Sequence, residues 1–223
     1  MENTHKHSFL TYEADNWFER NKTIVDNYRS ENDKVIDLLK KYNVDCKTVL
    51  EIGSSAGYRL NAINEIFSGS TVYGVEPSLK AINFGKECYK NVNFLHGTAD
   101  DLSVFHQDTF DVVIVGFVFY VIDRNILLKV ISEIDRVLKD GGILIIIDFF
   151  SETSLKNIYA HIDEFEAYSY KQNYYEIFTN SKLYHLLDKS TFSHSTKEMD
   201  SSDNYHDKYS ISLLKKDINS SYK

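Results

Sequence analysis

In the middle of the chain, apolar residues fall into short unbroken runs, and each run but the last is followed by a stretch that is more polar or repeats with helical spacing. The runs at 48–52, 71–75, 91–95, 110–115 and 143–147 have the length and β-branched content of strands. The run at 110–115 is an almost continuous Val/Ile segment, as expected of a strand covered on both faces. Between the runs, 58–67 places Leu60, Ile63, Ile66 and Phe67 on one helical face. The next helix is predicted over 78–89, with Ser78 as N-cap directly after Pro77. Another is predicted over 125–138, where Leu127, Val130, Ile131, Ile134 and Leu138 form a stripe. It is expected to stop at a glycine C-cap formed by residues 139–142, with Lys139 in its last turn. Upstream, 30–42 reads as one amphipathic helix carrying Val35, Ile36, Leu38 and Leu39. Repeated strand–helix–strand units with short connections predict an α/β fold: a doubly wound, mainly parallel sheet of Rossmann type with helices on both faces.

The two ends of the chain lack this alternation. Residues 1–30 are polar with scattered aromatics (Phe9, Tyr12, Trp17, Phe18, Tyr28) and are expected to form a cap or lid. The core is assigned to 31–150 and a tyrosine-rich insertion over the strand ends to 151–190. Residues 191–223 complete the sheet, with alternating segments at 191–197 and 208–214 read as an antiparallel hairpin.

Composition narrows the function classes. The chain has 223 residues, 43% of them hydrophobic, enough for one sizeable core. No apolar run approaches the length of a membrane span, and the polar N-terminus lacks the apolar segment of a secretory signal, so a cytoplasmic protein without a membrane partner is expected. A formal charge of −8 argues against a partner held mainly through phosphates, and no nucleic-acid partner is expected. Cys46 and Cys88 are too few for a disulfide framework or a zinc cluster; both are expected to be buried or partly buried thiols, and no metal is expected.

The chemistry concentrates at the carboxyl ends of the first three strands. Gly53 and Gly57 flank the turn after the first strand, with Ser54 and Ser55 between them, and glycine permits close approach of backbone to a ligand. Glu76, followed by Pro77, ends the second strand nineteen residues beyond Gly57, close to the spacing of the acidic residue that accepts hydrogen bonds from ribose hydroxyls. After the third strand, residues 97–102 hold Thr98, Ala99 and Asp100, where a carboxylate and a backbone N–H can meet an adenine; the paired Asp100 and Asp101 also fit an N-cap and turn.

These segments resemble, in order, the motifs of class I S-adenosylmethionine-dependent methyltransferases. Residues 49–60 are similar to the first motif, 73–78 to the second, 97–102 to the third, 110–115 to the fourth, and 133–142 to the stretch that follows. The general pattern also resembles methyltransferases encoded with bacterial surface-polysaccharide genes. The resemblance implies S-adenosyl-L-methionine as cofactor and S-adenosyl-L-homocysteine as product, with Glu51 and Gly53 near the methionine moiety, Glu76 on the ribose and Asp100 on the adenine. It places Gly116, Phe117 and Tyr120 between cofactor and acceptor. Two departures stand out: Ser55 replaces the middle glycine of the loop, and Gly116 occupies the place after the fourth strand where a polar residue is often found.

No Asn-Pro-Pro-Tyr or Asp-Pro-Pro-Tyr run follows the fourth strand, so a small-molecule acceptor is expected, with a sugar nucleotide or polysaccharide substituent as the leading class. Trp17, Arg20, Tyr170 and Lys171 are the candidate acceptor-binding residues, the two cations for a phosphate or carboxylate. No residue declares itself as a general base; His161, His185, His194 and His206 lie in the C-terminal part, and His96 reads as structural. Two alternatives share the loop and the acidic residue: an NAD-dependent oxidoreductase, disfavoured because glycines stand only at 53 and 57, and a non-catalytic cofactor-binding protein.

Overall fold

A computed structural model describes residues 13–162 and 167–221. Phe9 and Tyr12 of the expected cap lie outside the described residues. Among the described residues the first helix is α1 (Ala14–Asp26). The predicted 30–42 helix is divided: a 3-10 turn at Ser30–Asn32 precedes α2 (Lys34–Lys41). The division falls at Asp33, whose extended backbone and carboxylate, accepting from Val35 N at 2.9 Å, make it the N-cap.

Then β1 (Thr48–Ile52), α3 (Tyr58–Ile66), β2 (Thr71–Glu76), α4 (Leu79–Cys88), β3 (Val92–His96) and β4 (Phe110–Gly116) follow at the expected places. Ser78 caps α4 as predicted, its hydroxyl accepting from Ala81 N at 3.0 Å. Helix α5 (Leu127–Val137) runs into β5 (Leu138–Phe149) without the expected glycine C-cap. Leu138 is already extended and pairs with Phe110, so strand pairing ends the helix and draws residues 139–142 into β5. Lys139 accordingly pairs with Asp111 at 2.7 Å rather than serving the last helical turn.

Within the predicted insertion, β6 (Leu155–Ile158) and β7 (Tyr168–Lys171) form a small antiparallel pair, followed by α6 (Tyr175–Asn180). The closing hairpin is β8 (Tyr184–Ser193) and β9 (Lys208–Lys216), with a short α7 (Ile218–Ser221) after it. β8 starts at Tyr184 and ends at Ser193, which corrects the expected strand at 191–197. Its registration against β9, from Tyr184↔Lys216 to Ser193↔Lys208, overrides the local alternation that suggested the later start.

Seven strands lie in the order β3-β2-β1-β4-β5-β9-β8. The first five are parallel, and β9 and β8 are antiparallel additions. Strand alternation splits the core. Leu50, Ile52, Val113, Val115, Leu144 and Ile146 face α5 and α6, while Val49, Val112, Ile114, Ile145 and Ile147 face α2 and α3. Val112, Val113, Ile114 and Val115 are all fully buried, as a doubly covered strand requires. Cys46 is buried, whereas Cys88, at the end of α4, is exposed, contrary to expectation. Among the described residues no helix is long and apolar enough to cross a membrane.

The order of strands reverses between β1 and β4. Ligands of open α/β sheets bind at the carboxyl ends of the strands flanking such a switch point, and a cleft of about 1600 Å³ lies there.

Candidate active site

The β1–α3 loop is the cleft's floor. Gly53 has φ +72°, and its N–H donates to Val75 O at 2.8 Å. A Cβ at this position would lie 2.5 Å from Val118 Cγ2, so glycine is required both by the dihedral and by the close passage of the β4 exit. Ser55 retains a left-handed backbone, φ +49°, and bears the modest strain of an L-residue there, roughly 1–2 kcal/mol. The serine at the middle glycine position therefore leaves the turn's shape intact. Its hydroxyl is buried without a partner. Gly57 and Ser54 support the turn from behind rather than lining the cleft. A Cβ on Gly57 would meet Phe94, and the Ser54 side chain packs against Gly74.

Glu51 sits on the face of β1 covered by α2 and α3, and Arg59, in the first turn of α3, reaches it there with a hydrogen-bonded ion pair. The same guanidinium donates through Nε to Asp33 Oδ2 at 2.7 Å, and Tyr28 Oη donates to that oxygen at 3.0 Å. Burial works against the Asp33 charge, yet Arg59 holds its carboxyl below the ordinary value. Burial pushes the Glu51 carboxyl up to about 7 despite Arg59. One Glu51 oxygen, Oε2, is buried with no hydrogen-bond partner, in a residue that lines the cleft. Such an atom calls for a donor.

Glu76 ends β2 with its carboxylate anchored by two backbone donors, Ser55 N and Ser78 N, each at 2.8 Å. Burial raises its pKa to about 7, against the pull of those donors. Asp100, 5% exposed, accepts from Thr98 Oγ1 at 2.8 Å and faces Lys129 Nζ at 3.4 Å. Pro77, Thr98 and Ala99 line the same cleft, so the ends of β1, β2 and β3 converge on one space.

On the far side of the switch point, Gly116, Phe117 and Tyr120 line the cleft, as do Trp17, Arg20 and Lys171. Phe117 has φ +53°, an uncommon conformation for an aromatic residue, with its N–H bonded to Ile147 O at 2.7 Å. Tyr170 is not among the lining residues, and its ring lies 4.0 Å from the Arg124 guanidinium. Arg20, expected as an exposed anion binder, instead pairs with the fully buried Glu13, which also accepts from Tyr159 Oη at 2.6 Å. This contact ties α1 to the segment after β6. Lys171 is only half-buried and donates to the carbonyls of Tyr205 and His206.

Asp33, Arg59 and Tyr159 contribute to the cleft through partners distant along the chain and were not expected there; Tyr28, expected only as a cap aromatic, joins them through Asp33. The signals available were an Asp just before a helix and an Arg two residues past the loop glycine. His161, His194 and His206 line the cleft, His185 does not, and His96 contacts Pro77 O at 3.0 Å. Among the described residues, no cluster of potential metal ligands occurs.

Residues 50–146 match the family model of a methyltransferase domain. Sequence relatives include the ribosomal protein L11 methyltransferase of Dictyoglomus thermophilum, 30% identical over 111 residues, covering 49% of this chain and 35% of that protein. A ubiquinone/menaquinone biosynthesis C-methyltransferase of Campylobacter jejuni is 29% identical over 116 residues, covering 50% of this chain and 45% of the relative. The chain thus spans less than half the length of either relative in these matches. The 1,6-didemethyltoxoflavin-N1-methyltransferase of Burkholderia thailandensis, solved with its substrate and S-adenosylhomocysteine, superposes with a TM-score of 0.70 at 13% identity, covering 97% of this chain and 92% of that one. The chain therefore has a Rossmann-like fold shared with methyltransferases, completed by the antiparallel β8–β9 pair.

Proposed function

We propose that the protein transfers the methyl group of S-adenosyl-L-methionine to a hydroxyl or amine of a small molecule. The observation that carries this reading is the convergence of Glu51, Glu76 and Asp100, from three successive strand ends, on the cleft at the switch point. The residues fit the cofactor. Glu51 Oε2, buried and unpartnered, suits the methionine ammonium, and the two-point anchoring of Glu76 leaves carboxylate lone pairs for ribose hydroxyls. Asp100 suits the adenine amino group beside the Ala99 backbone, and Gly53, Ser55 and Gly116 allow backbone to approach the reacting end.

When bound, the cofactor supplies a methyl group on a positively charged sulfur, an already activated electrophile. The protein's task is then to orient the acceptor and exclude water. Phe117, Tyr120 and Trp17 provide the walls for that. The Glu13–Arg20–Tyr159 contact holds α1 against the segment that follows β6, over the same cleft.

A ring-bearing acceptor is favoured by these aromatic walls, with a sugar nucleotide or a polysaccharide substituent as the class to test first. The negative overall charge weighs against nucleic-acid and anionic-membrane partners. Incubation with S-adenosylmethionine and a panel of sugar nucleotides should yield S-adenosylhomocysteine. Cofactor binding with no turnover on any acceptor would favour a non-catalytic binding protein. Thermal stabilisation by NAD but not by S-adenosylmethionine would refute the reading in favour of an oxidoreductase.

A further inference from the structure

The cleft changes character over the β4-β5-β9 part of the sheet. Its surface there is aromatic: Phe117 packs on Phe149 at 5.3 Å between ring centres and on Tyr209 at 5.7 Å. Lys171, at the end of β7, lies 5.0 Å from the centre of Phe149, and Lys197, in the β8–β9 turn, lies 5.8 Å from the centre of Tyr209. His194 lines the same part of the cleft, 5.0 Å from Phe149 and 6.1 Å from Phe117 by ring centres.

Several lysines of this acidic chain pair with carboxylates, among them Lys41 with Asp188 at 2.7 Å, Lys139 with Asp111 at 2.7 Å and Lys216 with Asp135 at 3.1 Å. Among the described residues, Lys171 and Lys197 form no salt bridge. Asp207 is the carboxylate close enough to influence both, and its oxygens are engaged by Ser193 Oγ at 2.6 Å, Ser195 Oγ at 2.7 Å and Ser195 N at 2.9 Å. Partial burial lowers the pKa of both lysines, and burial together with Lys197 and Lys171 lowers that of His194. Two lysines and an imidazole thus come together, partly desolvated, on an aromatic surface within a cleft, and both lysines disfavour a charge on His194. A bound anion would offset that effect and gain charge-assisted hydrogen bonds.

We infer that Lys171, Lys197 and His194 form an anion-binding subsite that holds a carboxylate or phosphate group of the acceptor, whose ring lies against Phe117, Phe149 and Tyr209. The inference rests on the methyltransferase reading only in identifying the bound molecule as the acceptor. Calorimetric titration of the full chain with phenyl phosphate, with benzoate and with neutral benzamide tests it. At least one anion should bind about tenfold or more tightly than benzamide, and the tighter of the two tells phosphate from carboxylate. Lys197→Met should weaken that binding about tenfold, Lys197→Arg should retain it, and the melting temperature of both should match the parent because only part of the side chain is covered and it forms no salt bridge among the described residues. Anion binding should also raise the pKa of His194 in an NMR titration. Equal affinity for benzamide, no binding of either anion, or unchanged anion affinity in Lys197→Met would overturn the subsite. S-adenosylhomocysteine affinity, measured in parallel, should be the same in Lys197→Met and the parent. If the parent fails to bind it, the methyltransferase reading falls while the anion titration still decides the subsite.

Discussion

Replacing Glu51 by Gln tests the cofactor assignment with little disturbance to the fold. The carboxylate spends Oε1 on Arg59 and leaves Oε2 buried and unpartnered. A glutamine of the same shape keeps a carbonyl oxygen for Arg59, which also retains Asp33. It removes the negative charge, whose desolvation is what raises the Glu51 pKa to about 7. Stability without cofactor should therefore change by less than about 1 kcal/mol. Loss of a charge-assisted bond to the cofactor's ammonium should cost about 1.5–3 kcal/mol, or a Kd roughly 10- to 100-fold weaker. At a fixed saturating cofactor concentration, the stabilisation given by binding falls by the same amount. That makes the cofactor-induced rise in Tm about 3–10 °C smaller than in the parent. Calorimetry with S-adenosylhomocysteine and parallel melting curves measure both quantities. An unchanged Kd would refute the assignment of Glu51, and a collapse of stability without cofactor would mean that the carboxylate serves Arg59 instead.

Glu76→Ala should also weaken cofactor binding by a few kcal/mol at most, since it removes a ribose acceptor and the anchor of Ser55 N and Ser78 N; unchanged affinity by calorimetry would remove Glu76 from the ribose. Gly53→Val should lower both stability and cofactor affinity, because a branched side chain at φ +72° would overlap Val118; a parental Tm would show that the loop adapts. The pH dependence has a definite sign. Burial raises Glu51, Glu76 and Asp148 to about 7, above their ordinary carboxylate values, so the folded state holds protons that the unfolded chain has released. The contribution of these groups to stability without cofactor is therefore greatest in mild acid and declines as the pH rises toward about 7. Melting curves across that range check it, and a slope that reverses in Glu51→Gln would contradict the assignment.

The central strands were legible because each is buried on both faces, and such segments advertise themselves as uninterrupted Val/Ile runs bounded by glycine or polar turns. The cofactor half of the cleft was legible for a related reason. Glu76 and Asp100 sit at strand ends, where chain position alone places them. The failures occurred where distant pairing decided the outcome. Leu138 looked helical by periodicity but is drawn into β5 by Phe110, and β8 takes its bounds from β9. Arg20 looked like a free cation because its partner, Glu13, is buried by a segment more than a hundred residues away that includes Tyr159. The cluster of Lys171, His194 and Lys197 was hidden in the same way, since it is assembled from β7 and the β8–β9 turn and has no spacing to give it away.

The most direct test of the account is the affinity of the unmodified chain for S-adenosylmethionine or S-adenosylhomocysteine measured against NAD by titration calorimetry. Saturable binding of the sulfur nucleotides, weakened in both Glu51→Gln and Glu76→Ala, and no binding of NAD are expected. Binding of NAD alone, or sulfur-nucleotide binding indifferent to both substitutions, would contradict it.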